Sequence, residues 1–258
     1  NSPKTARKGN MVSAVGMILA VVMAFIVLFA GEISNGFQHG VAVVLLIAGI
    51  IIGAVAGVVS AKKVKMTDMP QLVSVFNTVG GGAAALVALN DILTSAETPS
   101  IVVLITAGLG IMIGSVTFSG SLIAAGKLQG IKWVKKLSLP GKGFWNILFV
   151  VLTIVSFVML CVQPNQRLLW SILTTVFALC YGLVFVIPIG GADMPVVISV
   201  LNACTGTAVA MSGLAINNIA LIVAGALVGS AGVTLSILMA YGHTIPEVGK
   251  AVQEAVKN

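Results

Sequence analysis

Apolar residues fill eight long blocks of this chain, and short polar connections separate the blocks. Their bounds are 11–30, 41–60, 70–93, 101–123, 144–162, 168–187, 195–216 and 219–240. A helix of about 20 apolar residues is long enough to cross a hydrocarbon core of about 30 Å. The pattern therefore predicts an all-α integral membrane protein, a bundle of about eight transmembrane helices.

The composition agrees with this fold class. Of the 258 residues, 58% are hydrophobic and 8% are charged, and the mean hydropathy is +1.12. Such a chain has too little polar surface to enclose a water-soluble core, so we expect a lipid bilayer to surround it. The three cysteines lie inside apolar blocks without metal-ligand spacing, which predicts reduced thiols and no metal site. They are Cys161, Cys180 and Cys204.

Basic residues lie almost entirely on one side of the predicted bundle. Thirteen of the 14 lie on the side of the N-terminus, whereas Arg167 alone lies on the other. Such a bias marks the cytoplasmic or matrix face, and it explains the net charge better than nucleic-acid binding does. We expect both termini in the cytoplasm, and a bacterial inner membrane in preference to a mitochondrial one. The most basic connection, 127–142, is expected to lie along anionic headgroups and under a soluble domain.

One motif occurs twice, at a spacing of 125 residues. Asp-Met-Pro precedes an apolar run that contains Ser and then Asn three residues later, at 68–77 and again at 193–202. An Asp before a helix can accept hydrogen bonds from free backbone N–H groups, and Pro suits the first turn. We therefore expect helices to begin at Asp68 and Asp193, with each carboxylate as the cap.

The two copies form a parallel repeat, because four predicted spans separate them. They cover 66–127 and 191–242 within a predicted single transmembrane domain, 1–258. The helix after each motif carries a row of small residues, and the two rows match at a spacing of 115. Such a row lets two helix backbones approach closely. The rows are Gly110, Gly114, Thr117 and Ser121, and then Gly225, Gly229, Gly232 and Ser236.

The motif asparagines are the strongest candidates for function. Asn77 and Asn202 lie about 10 Å into their helices, where a carboxamide must find a partner or water. They could fix helix packing through interhelical hydrogen bonds, or line a wetted path for protons or a small ion. Asn202 is expected to matter more, since a hydroxyl on the next turn continues its polar face. The hydroxyls assigned to this path are Ser74, Ser121, Ser199 and Thr205.

Five segments together resemble one known family: Met66–Pro70, Val116–Ile123, Gly126–Gly130, Ile189–Val197 and Gly225–Gly232. In these segments, and over most of its length, the chain looks like the membrane part of the beta subunit of proton-translocating NAD(P) transhydrogenase. That family couples hydride transfer from NADH to NADP+ to proton movement into the cytoplasm or matrix. Many of its members have His where this chain has Asn77, whereas others have Asn there and a His on a partner subunit's helix.

The resemblance implies roles for particular residues. Asn202 and Ser121 would lie in the region of proton translocation. A second group would couple this region to the NADP(H)-binding domain, through the face of the membrane and a helix that senses the state of that domain. This group is Asp193, its repeat counterpart Asp68, Gly229, Ser230 and Gly232. Without the resemblance, both aspartates are explained equally well as helix starts.

Partners also follow from the resemblance. No dinucleotide fingerprint or phosphate loop occurs in the chain, so neither a catalytic residue nor a bound cofactor is expected here. NAD(H) and NADP(H) would instead bind to partner domains. The expected partners are a transhydrogenase alpha subunit, the NADP(H)-binding domain and a second complex in a homodimer. That domain and the family's first beta-subunit helix are expected to be absent from this chain.

A secondary transporter is the alternative interpretation. Repeats and polar residues near the midplane also occur in transporters, with a small-molecule or ion site between the repeats. Against this interpretation, the sequence has no Pro- or Gly-broken half-helices and no charge inside a span that would bind a charged substrate.

Overall fold

The computed structural model describes residues 3–30, 36–95, 98–132, 134 and 141–244, which form long helices and no strands. The helices are α1 (Pro3–Ala30), α2 (Gly36–Lys63), α3 (Met69–Thr94), α4 (Ile101–Leu128), α5 (Lys142–Val162), α6 (Arg167–Val186), α7 (Met194–Ala215) and α8 (Ile219–Thr244). Among the described residues, seven helices, α2 to α8, are long and apolar enough to cross a membrane. The all-α membrane fold is thus confirmed, and α1 contains the first predicted span.

Contacts divide the chain into two compact units, Asn1–Lys63 and Val64–Asn258. The first unit contains α1 and α2, whose described apolar side chains are largely exposed, for example Leu45 and Ile52. Exposed aliphatic side chains on a helix of this length are suited to contact with lipid. The second unit contains α3 to α8 and all the candidate site residues. The prediction of a single domain stays a prediction.

Helix α4 is the centre of the second unit, since it packs against α3, α5, α6 and α7. Helix α7 packs against α3, α4 and α8, and α5 pairs with α6. Two contacts show that α3 and α7 run in the same direction, because Asn77 meets Ile198 and Ala84 meets Ser212 further along both helices. The helices that carry the two motifs are therefore parallel, as predicted.

Apolar side chains form two core clusters in this unit. One joins the end of α4, the end of α6 and the start of α7, with Ile123, Val186, Met194 and Leu201 among its members. The other lies toward the opposite ends of these helices and includes Ile92 and other residues of α3, α4, α5 and α7. Burial of these side chains holds α4, α6 and α7 together around the region where the polar candidates lie.

Most helix bounds differ from the predicted blocks by a few residues. The larger differences are at α1, which begins eight residues early, at α2, which begins five residues early, and at α4, which continues five residues past the predicted end, to Leu128. Lys127 is therefore part of a helix and not of a loop. Lys132 of the basic connection is exposed. Two other lysines of this connection, Lys135 and Lys136, lie outside the described residues.

Both motif helices begin directly after their Asp, with Pro in the first turn, as predicted. The predicted carboxylate caps are wrong, because neither Asp68 nor Asp193 makes a side-chain cap hydrogen bond. Their ψ angles are close to 0° (1° and −4°) instead of extended. A capping side chain reaches the free N–H groups from an extended residue, so this backbone conformation directs the carboxylates elsewhere.

Candidate functional site

Hydroxyl side chains connect the two helices within each copy of the repeat. The buried Ser74 Oγ on α3 donates a hydrogen bond of 2.7 Å to the Ser121 carbonyl on α4. The buried Ser199 Oγ on α7 donates one of 3.3 Å to the Gly232 carbonyl on α8. Both bonds join the first and second helix of a copy. Their acceptors are not repeat equivalents, because Ser121 matches Ser236, one turn after Gly232. Neither serine is left without a partner.

Asn77 links the two copies to each other. Its side chain is buried, and Nδ2 donates a 3.3 Å hydrogen bond to the Ile198 carbonyl on α7. This is the interhelical bond that one of the two sequence interpretations expected. The bond uses one amide hydrogen and leaves the carbonyl oxygen of Asn77 as an acceptor.

Asn202 has a different environment, although it occupies the matching position. Its half-buried side chain lines a cavity of about 310 Å³ between the starts of α3 and α7 and the far part of α8. Within the described residues, no hydrogen bond to its carboxamide is found. The walls are mostly apolar, with Pro70, Pro195, Leu235 and Met239 among them. The Asn202 amide is thus open to a group or solvent that enters the cavity.

Ser121 is the second polar group without a partner. It is fully buried on α4, and in the part of the chain that the structure describes its Oγ makes no hydrogen bond. A buried hydroxyl in this state costs about 1–3 kcal/mol, so its position favours any hydrogen-bonding group that can reach it. Thr205, by contrast, donates 3.1 Å to the Leu201 carbonyl of its own helix. The hydroxyl predicted to extend the polar face beyond Asn202 is therefore already engaged.

Glycines bring the paired helices into backbone contact, as the rows of small residues predicted. A Cβ at Gly114 would lie 2.7 Å from the Gly81 carbonyl oxygen, and one at Gly206 would lie 2.7 Å from the Gly229 Cα. Gly81 and Gly206 are repeat equivalents, as are Gly114 and Gly229. The same close approach therefore occurs in both copies, between α3 and α4 and between α7 and α8.

The remaining coupling candidates lie on two surfaces. On α8, Gly232 packs against Ala203 of α7, whereas Ser230 is exposed and donates only to a carbonyl of its own helix. At the starts of α3 and α7, Asp68 is half-buried and Asp193 is exposed. Neither carboxylate is used as a helix cap, so both can accept hydrogen bonds from a group outside the bundle.

Two structurally important residues were missed by reasoning from the sequence. Lys127 Nζ donates to three carbonyls at the end of α6, and it was misplaced because the end of α4 was predicted too early. Ser212 on α7 shares its hydroxyl hydrogen between the Ala84 carbonyl on α3, at 3.0 Å, and the Ala208 carbonyl of its own helix, at 2.9 Å. The first of these is a second link between the copies. A single serine in an apolar block carries no signal of such a contact, whereas the Gly-Lys-Leu-Gln-Gly segment could have drawn attention to Lys127.

No group of three His, Cys, Asp or Glu that could hold a metal ion occurs among the described residues. The three cysteines are free thiols inside α5, α6 and α7. Around Asn202 and Ser121, the polar groups that the structure describes are neutral amides, hydroxyls and backbone carbonyls. Such groups can orient water or a titratable group, but none of them gains or loses a proton near neutral pH.

Comparisons with known proteins give one consistent family. A sequence model of the family described as NAD(P) transhydrogenase beta subunit matches residues 1–245. Two curated relatives from Rhodospirillum rubrum, both named NAD(P) transhydrogenase subunit beta, are each 40% identical to this chain over 249 residues. The match covers 94% of this chain and 51% of each relative. The chain thus spans about half the length of these curated relatives.

Proposed function

This chain belongs to the NAD(P) transhydrogenase beta subunit family, and from that membership we propose that it is the proton-translocating membrane module of a transhydrogenase. It couples hydride transfer from NADH to NADP+, which takes place on soluble domains, to proton movement across the membrane. The observation that carries the proposal is the Asn202 carboxamide, which faces a cavity among three membrane helices without a described partner. The family match does not favour the alternative of a secondary transporter.

In this proposal Asn202 orients the group that carries the proton. A carboxamide does not titrate, so the carrier is water or an imidazole from a partner subunit, held by hydrogen bonds to the amide. Ser121 adds a buried hydroxyl that lacks a described partner. Ser74, Ser199 and Thr205 are assigned to the same pathway, where they hold the helix backbones in register around it.

Coupling to the soluble domains begins at the basic face. Asp193 and Asp68 at the starts of α7 and α3 are assigned to contact with the NADP(H)-binding domain. Helix α8, through Gly229, Ser230 and Gly232, is assigned to respond to the state of that domain. The backbones of α7 and α8 are in direct contact at Gly206, so a shift of α8 must displace α7, which carries Asn202. Packed interfaces transmit displacements of this kind because they have little free space.

The location and partners are part of the same proposal. The proposed membrane is a bacterial inner membrane, and the excess of Lys and Arg on one side supports an orientation with both termini in the cytoplasm. NAD(H) and NADP(H) bind to partner domains, and the partners are a transhydrogenase alpha subunit and the NADP(H)-binding domain. The complete assembly is a homodimer of such complexes.

Reconstitution tests the proposal. The complete complex is incorporated into proteoliposomes, and hydride transfer and internal pH are recorded together. We expect hydride transfer to change the internal pH, and an uncoupler to abolish the pH change and accelerate hydride transfer that works against the gradient. Hydride transfer that an uncoupler leaves unchanged, without any pH change, would exclude coupling through this chain.

A further inference from the structure

Lys127 joins two helices that have no other described polar bond between their ends. It lies in the last turn of α4, and its Nζ donates to the Val186 carbonyl at 3.2 Å, to the Ile189 carbonyl at 2.9 Å and to the Ile187 carbonyl. These three acceptors belong to the end of α6 and the first residues after it. The side chain is half-buried, unlike the exposed Lys132 further along the connection.

The contact is favourable for a clear electrostatic reason. The last carbonyls of a helix have no partner within the helix, and they carry the negative end of its dipole. An ammonium group placed among them supplies both hydrogen-bond donors and a positive charge. Apolar side chains of the core cluster around Val186 surround the site, and a charge-assisted bond is stronger there than in water.

The segment that Lys127 holds is the α6–α7 loop, residues 187–193. This loop ends at Asp193, and α7 with Asn202 begins directly after it. On the other side of the contact, Ser121 lies six residues before Lys127 on α4, about 9 Å along the helix axis. One side chain therefore connects the loop at the basic face to the helix that carries the unpartnered buried hydroxyl.

We propose that Lys127 is a positioning residue for coupling, which holds the α6–α7 loop against α4 so that displacement of the loop reaches the helix of Ser121. The proposal rests on the function proposed above. The repeat shows that this feature is specific to one copy, because the position that matches Lys127 at the spacing of 115 is Gly242. Only the loop before the second motif is held in this way by a lysine at that position.

The first test measures the loop directly and does not depend on transhydrogenase activity. Backbone amide exchange of 187–193 is recorded by mass spectrometry in the complete complex with Lys127→Met, Lys127→Arg and the control Lys62→Met, which changes an exposed lysine in the last turn of α2. The N–H groups of Ile187 and Ile189 report on the loop, since they bond to Leu183 and Val186. We expect about tenfold faster exchange in Lys127→Met, near-normal exchange in Lys127→Arg, which keeps the charged donors, and no change in the control. Unchanged exchange in Lys127→Met would overturn the proposal.

The second test asks whether the position of the loop is used for coupling. The number of protons moved per hydride transferred is measured for the same complexes in proteoliposomes. We expect Lys127→Met to keep hydride transfer but lose at least about half of this ratio, and Lys127→Arg to restore it. A normal ratio despite faster loop exchange would overturn the coupling role. If Lys127→Met does not assemble, Lys127→Gln, which keeps a neutral donor, enters both assays with the same two criteria.

The two tests also separate this inference from the proposed function. A wild-type complex that transfers hydride without moving protons would refute the proposed function, and with it the coupling role of Lys127. The exchange experiment would still decide whether Lys127 holds the α6–α7 loop.

Discussion

The contact between α7 and α8 allows a sharp prediction, because two glycines in it differ in the space around them. A Cβ at Gly206 would lie 2.7 Å from the Gly229 Cα and 2.8 Å from the Gly225 carbonyl oxygen. A Cβ at Gly229 would have no neighbour closer than 3.4 Å, which is ordinary van der Waals contact. Gly→Ala should therefore lower the free energy of unfolding at Gly206 and leave it nearly unchanged or slightly higher at Gly229.

The expected magnitude follows from the required separation of the helices. Carbon atoms pack at about 3.5–4.0 Å, so the Gly206→Ala methyl group forces the two backbones about 1 Å apart. A gap of that size forfeits a quarter to a half of each contact, worth about 0.1–0.2 kcal/mol per atom pair, so about 50 pairs lose about 3 kcal/mol. Replacement of Gly by Ala in a helix recovers about 1 kcal/mol. The net destabilisation is about 2 kcal/mol for Gly206→Ala, whereas Gly229→Ala is neutral or stabilising by up to about 1 kcal/mol.

The free energy of unfolding of both variants can be measured in mixed micelles, by SDS titration with circular dichroism as the readout of helicity. The wild-type protein is the reference, and Gly229→Ala is the matched control, because it places the same methyl group in the same α7–α8 interface. Unfolding free energies of the two variants that agree within about 0.5 kcal/mol would refute the reasoning, since they would show that the α7–α8 backbones are not in the described contact.

Three further predictions concern the polar groups and the basic connection. Asn202→Leu should lower coupled proton transfer about tenfold or more, equivalent to about 1.4 kcal/mol, and Asn77→Leu should lower it less. Proton-pumping assays normalised to assembled complex measure both variants, with the exposed Asn90→Leu as the control. An equal or larger loss in Asn77→Leu would contradict the greater importance of Asn202. Ser212→Ala should cost about 0.5–1.5 kcal/mol of unfolding free energy through its lost bond to α3, whereas Ser230→Ala should change it by less than about 0.5 kcal/mol; equal effects in SDS titrations would contradict the described link between the copies. Replacing Lys132, Lys135 and Lys136 of the basic connection with Gln should weaken membrane orientation or domain docking, which protease protection and co-purification measure. Loss of proton pumping with normal insertion and normal docking would contradict this prediction.

The fold and the close helix contacts in it could be predicted from local pattern. Length and hydropathy located the spans, because backbone N–H and C=O groups inside a membrane need internal hydrogen-bond partners. A helix provides these partners within a single span. The rows of small residues correctly predicted a close approach of helix backbones, since Gly, Ala, Ser and Thr leave room for it. The parallel direction of α3 and α7 followed from an even number of spans between the copies.

Other features could not be predicted, because they depend on neighbours that are distant in sequence. The two motifs share Asp, Met, Pro, Ser, Val and Asn at matching positions. The motif itself therefore does not distinguish Asn77, which bonds to α7, from Asn202, which faces a cavity. The capping role assigned to both aspartates failed for a similar reason. Local propensity favours Asp at a helix start, but the backbone entering each helix decides whether the carboxylate can reach the free N–H groups.

The sequence by itself determined that this protein is a bundle of membrane helices with a parallel repeat, because hydrophobic length and residue size act within a single helix. Only the tertiary structure decided which polar groups are engaged and which are open. Lys127 shows the reason most clearly: its partners at Val186, Ile187 and Ile189 lie about 60 residues away along the chain. A lysine at a helix end is compatible with lipid headgroups or with a neighbouring helix, and the packing of α6 against α4 selects the second.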